Sequence, residues 1–269
     1  MNFLRSIFDF YLQSSIHVAL AITSLAAITV FQYGFVPEPA LLLFILCGSI
    51  VGYNFVKYAG VSNLHLLKVT RNITVIRLFS VLCAGGMLFF ARLLPVDVLV
   101  TAGIFGGLTG LYAIPLINNR NLRSLSGAKI YIIALVWMGT SVMVPLEYHN
   151  VGLNAKAIYH CIEIFFFVIA LTLPFEIRDL KFDELDLSTI PQNIGIRNTK
   201  WLGTGLITAA GIFAYFQNYI NDSDLPVTLG IFALTAISIW ASDKEQGRYY
   251  ASFWVESIPI LWLILLLMF

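Results

Sequence analysis

Residues Leu173–Gly195 read LPFEIRDLKFDELDLSTIPQNIG, directly after an apolar run long enough to cross a bilayer. Glu176, Asp179, Asp183, Glu184 and Asp186 all fall in this stretch, a third of the chain's fifteen acids. Charge is scarce elsewhere: 12% of the 269 residues are charged and 59% are hydrophobic. A soluble domain carries about a quarter charged residues. The composition is that of an integral membrane protein, read as a single transmembrane domain over residues 1–269. A net charge of +1 gives no global field to attract nucleic acid, so none is expected as a partner.

Working outward from that stretch, apolar runs of about twenty residues predict an all-α, polytopic protein with nine spans. They are Ser14–Phe35, Pro39–Val56, Ile73–Leu94, Val96–Ile117, Lys129–Leu146, Ala157–Phe175, Trp201–Ile220, Leu225–Ala241 and Ala251–Phe269. The opening residues, MNFLRSIFDFYLQ, are amphipathic and carry no small-residue cleavage site. Cys47, Cys83 and Cys161 lie in apolar runs at no metal-ligand spacing and read as small buried hydrophobes.

Basic residues set the orientation. With nine spans, fourteen Lys and Arg residues collect on one side and two, Arg92 and Lys156, on the other. The N-terminus is therefore expected in the cytoplasm and the C-terminus on the far side, and the expected location is the bacterial inner membrane. The long connections, Lys57–Asn72 and Glu176–Lys200, both fall on the basic side, and loops of this length are usually functional. They end alike, in RNIT (Arg71–Thr74) and RNTK (Arg197–Lys200), a faint internal duplication offset by 126 residues.

Glu176, Asp179 and Asp183 are spaced i, i+3, i+7, and share one face if the sixth helix continues. Carboxylates that close repel unless a cation sits among them. Mg²⁺ takes a few protein oxygens and completes its shell with water and phosphate, so the three acids are candidate metal ligands at a diphosphate site. A solvated loop neutralised by Arg178, Lys181 and lipid headgroups is the alternative. Glu163, inside the sixth span near Lys156 and His160, is expected to form a structural pair with one of them. Glu256 opens the ninth span, and both a structural and a cavity-lining role stay open for it. His17 and His65 have no partner legible in sequence. Most of the Phe and Tyr face lipid or core, although an aromatic-lined cavity suits an isoprenoid cation.

The acidic stretch resembles the second acidic motif of the UbiA superfamily of intramembrane prenyltransferases, P-x-D-I-R-D-x-x-x-D…T-x-P-x-x-x-G. Pro174, Ile177, Arg178, Asp179, Asp183, Thr189, Pro191 and Gly195 match, with Glu176 where the family often has Asp. GLYAIPLINNRNLRSL followed by KIYIIALVWMGTSVMVPL is similar to the family's Tyr-x-x-Pro element and the helix after it, through Tyr112, Pro115, Arg123, Lys129, Trp137 and Pro145. The resemblance spans roughly Gly48 to Lys200. It implies a nine-helix bundle around a cavity open to the cytoplasm, with Mg²⁺ as cofactor. It also implies a catalytic role for Asp179 and Asp183, and Tyr112, Arg123 and Arg178 on the substrate.

The chain departs from the family at the first acidic motif, which resembles N-D-x-x-D-x-x-x-D after the second helix. Asn54 remains, but Phe55, Tyr58 and Ser62 stand where the acids belong, and no carboxylate lies between Glu38 and Asp97. Lys57, Lys68 and Arg71 are then expected to neutralise diphosphate directly, with Lys57 assisting the leaving group and Asn54 beside it. Two functions remain open. One is Mg²⁺-assisted transfer of a prenyl group from a polyprenyl diphosphate to an apolar acceptor. The other is a silent relative that binds an isoprenoid or quinone lipid, or joins a membrane complex as a subunit. A transporter is disfavoured because no chain of ionisable groups crosses the membrane. Expected partners are an isoprenoid lipid, the surrounding membrane lipids and, for the silent form, another membrane protein.

Overall fold

The computed structural model describes residues 3–58, 71–113, 127–181, 189–217 and 224–268, with the backbone alone at 3, 4, 71 and 72. Every regular element among them is helical. α1 (Phe3–Gln13) is amphipathic and meets α2 (Ile16–Gln32) at a 56° corner, where Ser15 adopts φ 61°. α2 is apolar and buried on nearly every side, from Val18 through Val30. A helix without a polar face belongs at the centre of a bundle. It packs there between α3 (Pro39–Tyr58) and α11 (Ile258–Met268).

α3 pairs with α4 (Arg71–Ala91), whose Leu78, Val81, Leu82, Leu88 and Phe89 are exposed, as befits a lipid-facing helix. α5 (Val96–Ala113) packs against α3 and against α6 (Lys129–Met138). α6 continues through a π-helical turn, Gly139–Met143, into α7 (Val144–Tyr148), so the three form one span. A Cβ at Gly139 would overlap the Phe105 ring of α5. The bare glycine lets the two backbones approach.

α8 (Ala155–Asp179) is the axis on which the functional stretch sits. Asn154 caps it, accepting a hydrogen bond from the Ala157 N–H at 2.9 Å. The helix packs on α6, on α9 (Ile190–Phe216) and on α10 (Asp224–Ala241). Phe167 of α8 meets Phe232 of α10 and Trp262 of α11 with ring centroids 5.4–5.6 Å apart, all three buried. Before α11 the chain forms a second π-helical segment, Tyr250–Val255.

Among the described residues seven helices are long and apolar enough to cross a membrane, or eight if the bent pair α1–α2 forms one span. The protein is thus a polytopic helical membrane protein. The first span expected from the sequence, Ser14–Phe35, is α2 entered through the corner at Ser14–Ser15. The segment expected at Trp201–Ile220 is helical to Phe216 but is not among the seven, and residues 218–220 lie outside the described chain.

The long connection expected at Glu176–Lys200 is largely absorbed into helices. α8 runs on to Asp179, and α9 begins at Ile190. Thr189 is the N-cap, its N–H donating to Gln192 Oε1 at 2.9 Å, and Pro191 sits in the first turn, where its missing N–H costs nothing. Gly195 then breaks α9 at φ 78°, ψ 160°. Only glycine takes this conformation without strain. The Thr, Pro and Gly of the motif therefore build a helix start and a kink.

Candidate functional site

A cavity of about 840 Å³ opens between α2, α3, α5, α6, α8 and the second π-helical segment. Most of its wall is apolar, including Val18, Ile22, Phe44, Phe105, Ile133 and Trp137. Two helices contribute small residues, Gly48 and Gly52 of α3 and Gly106 and Gly110 of α5. The Trp137 indole N–H donates to the Tyr53 hydroxyl, joining α6 to α3 at the wall. So apolar a lining suits a hydrocarbon ligand.

The described charges of the lining are Lys57, Lys129, Glu176, Arg178, Asp179 and Glu256. α8 presents three of them because it remains helical past Pro174. Pro174 has no N–H to give the preceding turn, and its own carbonyl accepts from Gln246 Nε2 at 2.9 Å. The i, i+3 spacing then brings Glu176 and Asp179 to the lining together.

Each carboxylate has a cation. Glu176 Oε1 lies 2.9 Å from Lys129 Nζ, the first residue of α6, with the Glu176 side chain only 6% exposed. Asp179 Oδ1 accepts from Arg178 Nε at 2.7 Å, and both side chains are 26% exposed. The Arg178 guanidinium also lies 5.2 Å from the Phe175 ring centroid. Lys129 was visible in the sequence only as part of the Tyr-x-x-Pro resemblance. Its signal was a single cation opening an otherwise apolar helix.

The opposite wall is built differently. Lys57 lines the cavity, and its ammonium donates to the Leu12 and Gln13 carbonyls at 3.4 and 3.3 Å. Asn54 is buried, is not among the lining residues, and donates to Ser14 O at 3.0 Å and Ser80 Oγ at 2.8 Å. The Tyr58 hydroxyl donates to Gln13 O at 3.0 Å. The polar face of α3 thus satisfies the free carbonyls at the end of α1. Tyr112 is buried and lines the cavity from the end of α5. Asp183, Lys68 and Arg123, and the Arg71 side chain, lie outside the described residues.

Among the described residues no three His, Cys, Asp or Glu side chains form a metal-holding group. Mg²⁺ needs fewer protein oxygens than that when water and phosphate complete its shell. Asp179, partly exposed at the cavity, fits such a role. Glu176, committed to Lys129, fits it only through water.

At the other end of α8, roughly 20 Å away at 1.5 Å per residue, Glu163 is fully buried against His160 at 2.9 Å and accepts from the Gln217 amide. His160 Nε2 meets Thr29 Oγ1 at 2.9 Å, and Lys156 donates to Gln32 O at 3.1 Å. Glu163 therefore forms the structural pair expected of it, with His160 rather than Lys156. His17 is also engaged, by the Tyr11 hydroxyl at 2.7 Å and the Phe253 carbonyl at 3.0 Å. His65 lies outside the described residues.

No family model matches the chain, and no curated protein does. Among solved structures it is similar to a digeranylgeranylglyceryl phosphate synthase in membranes, at 14% identity and a TM-score of 0.56. The match covers 97% of this chain and 96% of that one. At this identity the likeness is one of fold: the chain is an integral membrane protein with the helical architecture of that synthase over essentially its whole length.

Proposed function

We propose that the protein is a UbiA-like prenyltransferase, moving a prenyl group from a polyprenyl diphosphate to an apolar acceptor with Mg²⁺ assistance. The observation that carries this is the end of α8, which brings Glu176, Arg178 and Asp179 to the lining of an otherwise apolar cavity. The shared fold with a membrane synthase supports it. The hydrocarbon tail lies along the apolar wall, and the diphosphate sits among Lys57, Lys129 and Arg178. Asp179 would hold the cation together with Asp183, and Glu176, paired with Lys129, would reach it through water. Bound Mg²⁺ supplies charge neutralisation for the departing diphosphate. Lys57 and Arg178 add fixed positive charge where that group accumulates negative charge. Tyr53, Tyr112 and Trp137 offer ring faces to the allylic cation. In this reading all nine spans cross, the cavity opens to the cytoplasm, and the membrane is the bacterial inner one.

The experiment is incubation of purified protein with Mg²⁺ and labelled prenyl diphosphates of several lengths. Diphosphate release that is lost on chelation and in Asp179→Ala and Asp183→Ala supports the reading. Absence of release with every chain length and acceptor, with binding unchanged in both variants, rejects it.

One observation favours a silent lipid-binding protein instead. Asn54, Lys57 and Tyr58, at the position of the family's first motif, are engaged with the α1–α2 corner. That form would copurify with an isoprenoid or quinone lipid and bind it equally with and without EDTA.

A further inference from the structure

The lining carries three carboxylates, and two of them are answered by cations at contact distance. The third is Glu256. Among the described residues its side chain makes no hydrogen bond and no ion pair. It comes from a different part of the chain than the acidic motif, at the end of the second π-helical segment. Its backbone N–H reaches back five residues to Ala251 O at 3.2 Å, and the Ser257 N–H reaches Phe253 O at 2.8 Å. This widened turn sets position 256 on the cavity wall. Such single π-turns recur at functional sites.

The surroundings limit what Glu256 can receive. Lys57 and Arg178 lie within electrostatic reach, as do the Tyr11 and Tyr53 hydroxyls. Two cations already neighbour this acid, so it has little left to offer a further cation or an amine, whereas a neutral hydroxyl can still donate to it. When ionised, the Glu256 carboxyl group can only accept hydrogen bonds, and in that form, facing an apolar cavity, it calls for a donor. Lys57 and Arg178, shared between this acid and the diphosphate position, would place such a donor beside the prenyl carbon.

We propose that Glu256 binds the hydroxyl of an alcohol or phenol acceptor and takes its proton during transfer. This rests on the prenyl-transfer reading. In the step, the prenyl C–O bond breaks and its electron pair leaves with the diphosphate. The acceptor oxygen forms the new C–O bond, and its proton passes to Glu256. The acid is thus a catalytic residue on a helix that the acidic motifs do not touch.

Two readouts test it on the full-length protein in detergent, with Glu256→Gln as the variant because it keeps size while replacing the basic carboxylate with an uncharged amide that cannot take a proton. First, binding is titrated with 4-nonylphenol and with its methyl ether. The wild type is expected to favour the phenol by at least about tenfold, the value of one hydrogen bond to a charged group, and Glu256→Gln to lose most of that preference, because its amide oxygen is an uncharged and weaker acceptor. Second, prenyl transfer to the phenol is measured across pH. Glu256→Gln is expected to slow transfer about 100-fold and to lose the acid limb of the wild-type profile, while prenyl diphosphate binding stays within about twofold. Equal wild-type affinity for phenol and ether overturns the inference, as does transfer by Glu256→Gln at the wild-type rate. A wild type that turns over no prenyl diphosphate rejects the prenyl-transfer reading, and the phenol preference then decides the hydroxyl site by itself.

Discussion

At the scale of single residues, the site depends on which charges are already paired. The Glu176 carboxylate is nearly enclosed, and Lys129 answers it from another helix. Removing one partner of a buried pair leaves an uncompensated charge, whereas removing both removes the cause of the penalty. Lys129→Met is therefore expected to destabilise the protein by about 3 kcal/mol, and Lys129→Met/Glu176→Gln by clearly less. Unfolding in detergent measures both, and additive losses would show that the pair is not coupled. Asp179 is different, because its arginine neighbour is adjacent in sequence and both side chains keep some exposure. Asp179→Asn is expected to lower Mg²⁺-dependent diphosphate release about 100-fold with little loss of stability. At the far end of α8, Glu163→Leu should cost about 2 kcal/mol, since it strands His160 and Gln217. It should leave prenyl diphosphate affinity unchanged.

At the scale of helices, two backbone devices aim these side chains. Gly195 holds φ 78° within α9, with open space around its missing Cβ, so conformation rather than crowding is the constraint there. Gly195→Ala is expected to lower stability by about 1 kcal/mol, because a positive φ with extended ψ is a region essentially confined to glycine. Gly139 presents the opposite case: its φ is helical, but a Cβ would overlap the Phe105 ring. Gly139→Ala should therefore cost more than Gly195→Ala, about 2 kcal/mol for overpacking. It should also shift the Phe105 ring that lines the cavity. A thermal melt of the two variants orders the effects, and the reverse order would contradict this account. The acidic stretch shows how much of an element was legible. Its i, i+3 spacing predicts a shared face, and α8 does extend to Asp179. The connection beyond it reads as a loop because Pro, Gly and polar residues resemble loop punctuation, while in α9 they serve as a capped start and a kink.

At the scale of the whole molecule, the two polar ends of α8 should face opposite sides of the membrane. Lys181 reaches Glu245 at 3.4 Å, which puts the start of the α10–α11 connection beside the acidic end of α8. Leu153, exposed just before α8, marks the other end. Cysteines placed at Lys181 and Lys244 are expected to react with an impermeant thiol reagent only from the cytoplasmic side, and a cysteine at Leu153 only from the far side. Labelling of all three from one side would contradict the topology. α1 is also tied to the connection before the second π-helical segment: Asp9 receives the Tyr249 hydroxyl at 2.9 Å and Arg248 at 3.1 Å.

The sequence by itself determined the solvent and the class of fold. Apolar runs of bilayer length leave helices as the economical way to satisfy backbone hydrogen bonds in lipid. It also marked the acidic end of α8, because charge in so apolar a chain is conspicuous. Tertiary structure decided the partners. Nothing in local spacing could pair Lys129 with Glu176, turn Asn54 and Lys57 toward the α1–α2 corner, or bring Glu256 to the same cavity as Asp179. Those relations join residues tens to hundreds of positions apart, and only the packing of separate helices around one cavity brings them within reach of each other.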